Sequence, residues 1–170
     1  MFEKFYPDRM IDSVYDVDYK RLYEEGCRAV IYDIDNTLVL HDAPANAAAV
    51  GLFDRIREAG LQSCLLSNNH EKRVKSFADA VHAVVYIFDA HKPAPGSYRK
   101  ITAQLGLETG QAVFFGDQLF TDVLGARNAG IKSVLVRPIG PEKLLRIKLK
   151  RILEKPVLRA FLRSGQNRPL

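Results

Sequence analysis

Ala29-Val30-Ile31-Tyr32-Asp33-Ile34-Asp35-Asn36-Thr37 is the stretch on which the fold turns. Its first four residues are apolar and β-favouring, and the run predicts a strand over 28–33. Side chains two apart on a strand share a face. Beyond the strand's carboxyl end, Asp33 and Asp35 therefore point into one crevice. Two carboxylates that close repel unless a cation lies beside them. The pair reads as a magnesium and phosphate site, with one Asp as nucleophile and the other as proton carrier. Asp-rich turns also occur as plain loop punctuation, and the remaining sequence arbitrates.

Working outward, strands and helices alternate. Asn46 caps a helix that runs through Ala59 and stops at Gly60. Leu61 to Leu66 is a second strand, and a helix follows over Glu71 to Ala80. Ala83 to Tyr86 is a short third strand. Gly96 to Leu105 is helical. Ala112 to Phe115 is a fourth strand, Leu119 to Ala129 a helix and Lys132 to Val136 a fifth strand. Near-continuous apolar strands linked by helices predict an α/β, doubly wound, Rossmann-like parallel sheet of five strands with right-handed crossovers. The expected organisation is an N-terminal extension (1–27), a core (28–140) and a helical tail (141–170).

In such a sheet, ligands bind outside the carboxyl ends of the strands. Four of these ends carry chemistry. The first delivers Asp33, Asp35 and Thr37, and the second Ser67, Asn68 and Asn69. Lys92 follows the third, and Gly116-Asp117-Gln118 with Asp122 follows the fourth. Each group alone is ordinary turn composition. All four in this order are hard to explain as punctuation. The four histidines lack zinc spacing. His41 and Asp42 read as loop residues that lie near the site.

The set DxDxT at 33–37, Ser67-Asn68, Lys92 and GDxxxxD at 117–122 resembles the haloacid dehalogenase (HAD) superfamily of aspartate-nucleophile phosphatases. The whole chain is similar to the YqeG-like group of its subclass III, itself similar to phosphatidylglycerophosphate phosphatases. The resemblance implies a sheet of strand order 3-2-1-4-5. It implies Asp33 as the nucleophile that forms an aspartyl-phosphate and Asp35 as the acid and base. Mg2+ would be held by Asp33, Asp35 (through its carbonyl) and Asp117, with Asp122 orienting a metal-bound water. Thr37, Ser67 and Asn68 would bind the phosphoryl oxygens, and Lys92 would neutralise charge. The spacing between motifs leaves no room for a cap domain. An uncapped site suits a phosphate on something large, such as a lipid head group or a nucleic-acid end.

At 170 residues with 47% hydrophobic and 26% charged content, the chain has the composition of one globular domain. No apolar run approaches the ~20 residues of a spanning helix, and no signal peptide is evident. Two cysteines, Cys27 and Cys64, read as reduced packing residues, so a cytoplasmic protein is expected. The net charge of +5 resides in the tail, which from residue 142 onward holds nine basic residues (Lys143, Arg146 and Arg168 among them) against Glu142 and Glu154. Leu144, Leu145, Leu149, Ile152 and Leu153 fall on one helical face. After Pro156, Val157 to Arg163 repeats the pattern.

Such a tail suits peripheral contact with an anionic membrane at its inner face, or packing on the core. A phosphorylated substrate is expected, with phosphatidylglycerophosphate preferred. Nucleic-acid-end or small-metabolite phosphatase activity is the alternative within the class. An RNA- or ribosome-binding module on the same scaffold is the alternative outside it. An oligomer is compatible with the sequence.

Overall fold

β2 (Ala29–Tyr32) lies at the centre of the sheet with all four residues buried. The computed structural model describes residues 2–142 and 144–167. Lys143 and Arg168 of the basic tail lie outside the described residues, as does the side chain of Arg146. β2 pairs in parallel with β3 (Gln62–Leu66) on one side and β5 (Ala112–Gly116) on the other. β4 (Val85–Ile87) and β6 (Lys132–Val136) flank these.

Alternate β2 residues feed different cores. Val30 and Tyr32 pack with α2 (Ala47–Glu58) and α3 (Glu71–Val81), while Ala29 and Ile31 pack with α4 (Gly96–Gln104) and α5 (Leu124–Ala129). This is the period-two pattern of a strand covered on both faces. Tyr32 stacks on Phe115 with ring centroids 5.0 Å apart, and each such fully buried side chain is worth roughly 1.5–3 kcal/mol. α2 starts where the Asn46 side chain accepts from the Ala49 N–H (2.9 Å), as the capping pattern predicts.

The expected five-strand sheet requires correction, because six parallel strands are present in the order β1-β6-β5-β2-β3-β4. The additional strand, β1 (Arg9–Ile11), pairs with β6 at the edge. It has only three residues, all half-buried, so no periodicity marks it in the sequence. The segment expected as an extension also supplies α1 (Tyr19–Glu24) and buries Val14, Val17, Tyr19 and Leu22 in the core.

The helix expected over 119–129 is two pieces, a π-helical turn (Leu119–Val123) followed by α5. Pro156 does not break the tail, whose α6 runs unbroken from Leu145 to Arg163. Pro156 is on the exposed side of that helix, where the carbonyl it leaves unpaired lies next to water.

Strand register sets up the site. Tyr32 is level with Leu65 on β3 and Phe115 on β5. The Asp33 N–H extends the ladder by one bond, to the Phe115 carbonyl at 2.9 Å. Residues following the three central strands therefore emerge side by side.

Candidate active site

Asp33 is the first residue past β2 and is buried at the floor of a cleft of about 190 Å³. After Asp35 the chain must reverse. Asn36 takes a left-handed conformation (φ 62°), one of the few non-glycine residues that does so at low cost. Its N–H donates to the Val39 carbonyl at 2.7 Å, and the Leu38 N–H to that of Ile34 at 2.9 Å. This compact turn keeps Asp33 and Asp35 both on the cleft.

Lys92 is buried between two carboxylates. Its Nζ donates to Asp33 Oδ1 at 2.8 Å and to Asp122 Oδ1 at 2.7 Å. Asn68, from the end of β3, holds the lysine backbone at both of its polar groups, accepting from the N–H (2.7 Å) and donating to the carbonyl (3.3 Å). Burial works to lower the Lys92 pKa, but Asp122 and Asp33 outweigh it and hold the ammonium above its ordinary range. Burial pushes the Asp33 carboxyl up, with Lys92 pulling the other way.

Asp122 is placed by the π-helical turn, a local geometry often found at functional sites. Its Oδ2 accepts from the Gln118 N–H at 3.0 Å. Gly116 passes so close that an added Cβ would lie 2.5 Å from Asp122 atoms. The buried Tyr98 hydroxyl donates to the Thr121 and Asp122 carbonyls (3.2 and 3.3 Å) and fixes the turn from below.

Asp35 stands at the rim. Its carboxylate accepts from the Asp42 N–H (2.9 Å), the Arg73 guanidinium (3.0 Å) and the Asn69 amide (3.3 Å). Burial works to raise its pKa, but the Asp42 N–H and Arg73 outweigh this and hold the carboxyl below its usual range. Asp117 is buried and pairs through Oδ2 and its carbonyl with Arg151 of α6. Arg151 is itself held by Glu154 (3.2 Å), whose other oxygen accepts from the Leu119 N–H at 2.8 Å.

Carboxylate oxygens of Asp33, Asp117 and Asp122 all lie within 4.8 Å of one another. Asp117 Oδ1 is buried with no hydrogen-bond partner among the described residues. An orphaned anionic oxygen is costly to bury. One facing two further carboxylates fits a hard divalent cation, which takes oxygen ligands.

The structure thus brings Asp33, Asp35, Ser67, Asn68, Lys92 and Asp117 onto one cleft, with Asp122 beneath it. Thr37 is not on the cleft; its hydroxyl is buried without a partner. Sequence reading missed Arg73, Arg151 and Glu154. Glu154 did leave a signal. It is one of two acids in a basic tail, on a helical stripe with Val157, Leu158 and Phe161 opposite the leucines.

Comparison with known proteins agrees with this geometry. A family model described as "HAD-hyrolase-like" matches residues 89–138. "Probable phosphatase YqeG" of Bacillus subtilis (strain 168) is 32% identical over 167 residues, 97% of this chain and 96% of that protein. The chain belongs to the HAD phosphatases. It is also 26% identical, over 88% of its own length, to 46% of the chloroplastic/mitochondrial phosphatidylglycerophosphate phosphatase 1 of Arabidopsis thaliana.

Among solved structures, the fold is similar to D,D-heptose 1.7-bisphosphate phosphatase from B. bronchiseptica, complexed with magnesium and phosphate. The TM-score is 0.51 at 19% identity, covering 64% of this chain and 79% of that one. HAD phosphatases use a divalent metal, and the three converging carboxylates of this HAD phosphatase fit one. No described helix is long and apolar enough to cross a membrane.

Proposed function

We propose that this HAD phosphatase hydrolyses a phosphomonoester with Mg2+, through an aspartyl-phosphate on Asp33. The observation that carries the reading is the ammonium of Lys92 locked between Asp33 and Asp122, with the Asp117 carboxylate, which keeps one buried oxygen unpartnered among the described residues, converging on both. Lys92 works against the upward push of burial on the Asp33 carboxyl, favouring its ionised form, and leaves its second oxygen available for attack. That oxygen bonds to phosphorus as the P–O ester bond breaks. Asp35 takes up a proton as the incoming substrate displaces the Asp42 N–H and Arg73 that otherwise hold it ionised, and delivers that proton to the departing oxygen. The resulting Asp35 carboxylate then takes a proton from the water that attacks phosphorus, which frees Asp33 and releases phosphate.

Ser67 supplies the hydroxyl on the cleft, and Asn68 positions Lys92. Asp33, the Asp35 carbonyl and Asp117 would hold Mg2+, with Asp122 steadying Lys92 beside them. The ion would add positive charge where the phosphoryl oxygens gain negative charge.

We take phosphatidylglycerophosphate as the preferred substrate. Support comes from the similarity to the Arabidopsis enzyme of that name and from the absence of a folded insertion between β2 and β3 or β4 and β5 among the described residues. Phosphate release from an aryl phosphate and from phosphatidylglycerophosphate vesicles, with and without Mg2+, tests both levels. Asp33→Asn should lower both rates by about 10³-fold or more. Aryl phosphate turnover without lipid turnover would redirect the substrate to a nucleic-acid end or a soluble metabolite. No turnover of either would end the enzymatic reading.

A further inference from the structure

α6 turns its polar stripe toward the core and its leucines toward solvent. Arg151, Glu154, Val157 and Phe161 face inward, and Ile147 and Lys150 line the cleft. The leucine stripe faces outward. Leu145 is 72% exposed, Leu149 56%, Ile152 57% and Leu153 63%. At helical spacing these four fall within a sector of about 100°. Lys148, Lys155 and Arg159 are exposed along one flank of that sector, and exposed Arg163 falls in line with the leucines beyond their last turn. A contiguous apolar stripe left in water marks an interaction surface. The cations beside it select the partner, since apolar insertion flanked by lysine and arginine matches a bilayer with anionic head groups.

We infer that the outer face of α6 docks on an anionic lipid bilayer and brings the phosphatase cleft to the membrane surface. The same helix carries the bilayer-facing leucines on one side and cleft-lining residues on the other. Docking therefore places the mouth of the site within about one helix diameter of the lipid surface. Delivery of a lipid phosphate to that mouth rests on the phosphatase reading above; docking itself does not.

The test is co-sedimentation of the full chain with phosphatidylglycerol-containing and with pure phosphatidylcholine vesicles, run beside aryl phosphate turnover and light-scattering mass. The wild type should bind the anionic vesicles. Leu149→Glu with Leu153→Glu should weaken that binding by about a hundredfold, since each inserted leucine contributes roughly a factor of ten or more. Aryl phosphate turnover, which also reports a folded site, should persist. Lys148→Glu with Lys155→Glu should weaken binding to the anionic vesicles selectively.

No vesicle binding by the wild type overturns the inference, as does equal binding to both vesicle types. A wild-type dimer that becomes a monomer in the leucine variant, with vesicle binding absent, also overturns it and assigns the stripe to a second copy. Vesicle binding without phosphate-ester turnover would leave the docking intact and remove the phosphatase reading.

Discussion

Replacing Lys92 by Met isolates the charge at the centre of the site while nearly preserving side-chain length and shape. The lysine is only 8% exposed and makes charge-assisted bonds of 2.8 Å to Asp33 and 2.7 Å to Asp122. Removing one partner of such a buried pair costs about 3–5 kcal/mol, because the remaining charge is left uncompensated. Protonation limits the loss. Neutralising one ordinary carboxylate at pH 7 costs about 4 kcal/mol, three pK units at 1.36 each. Urea unfolding followed by far-UV circular dichroism, without metal at pH 7, should therefore show a loss of about 3–4 kcal/mol.

Added Mg2+ should return part of that loss, since it binds the folded state alone. At a hundredfold over its dissociation constant it contributes about 2.7 kcal/mol. The variant should gain at least as much as the wild type, because its carboxylates have lost their built-in cation. A loss below about 1 kcal/mol would show that the lysine charge is not structurally committed. Stabilisation of the wild type by Mg2+ but not of the variant would show that the ion and the lysine do not share these carboxylates.

Two further outcomes follow from close packing and burial. Gly116→Ala would place a methyl 2.5 Å from Asp122, which cannot yield without releasing Lys92 and the Gln118 N–H. Stability should fall by about 1–3 kcal/mol. Phosphate-ester turnover should fall further than the folded fraction accounts for, with the two measured on the same preparation. Cys27 and Cys64 are buried, and burial pushes their thiols up to about 11 and about 12. Ellman's reagent should find neither until the chain unfolds. The unfolded chain loses thiol protons from about pH 8.5, where the native chain retains them, so stability should decline as pH rises through that value toward the native pKa values. Rapid labelling of the native protein at pH 8, or flat stability above pH 9, would contradict this burial.

The sequence showed most clearly what depends on strand ends. β2, β3 and β5 are nearly continuous apolar runs, and polar residues follow each of them. Asp33, Ser67 and Asp117 could therefore be placed in one crevice before any coordinates. Two kinds of feature stayed hidden. β1 has three residues, and its pairing depends on an edge that only the folded sheet creates. Arg73 and Arg151 look like any solvated helix cation, because a salt bridge is fixed by tertiary distance and not by periodicity. Thr37 is next to the aspartates in sequence, but it is not among the residues that line the cleft, and its buried hydroxyl has no hydrogen-bond partner among the described residues.

The tail shows why hydrophobic periodicity identifies a helix more surely than it identifies the buried side. α6 carries two stripes of helical spacing, one of leucines and one containing Arg151, Glu154, Val157 and Phe161. The transfer free energy of leucine favours burying the first. The second wins because it satisfies polar groups that otherwise have no partner. Arg151 answers one oxygen of Asp117 and its carbonyl, and Glu154 answers the Leu119 N–H at the start of the π-helical turn. Leaving such groups buried and unpaired costs about 1–3 kcal/mol each, and more when charged. Phe161, fully buried and in edge contact with Tyr6 at 5.4 Å, adds apolar burial at the far end. The helix orientation is thus set by the polar groups of Asp117 and Leu119 after β5, and the outward leucines are its consequence. With no folded insertion over the cleft among the described residues, α6 forms one wall of the site, and that wall presents an apolar, cation-flanked surface on its other side.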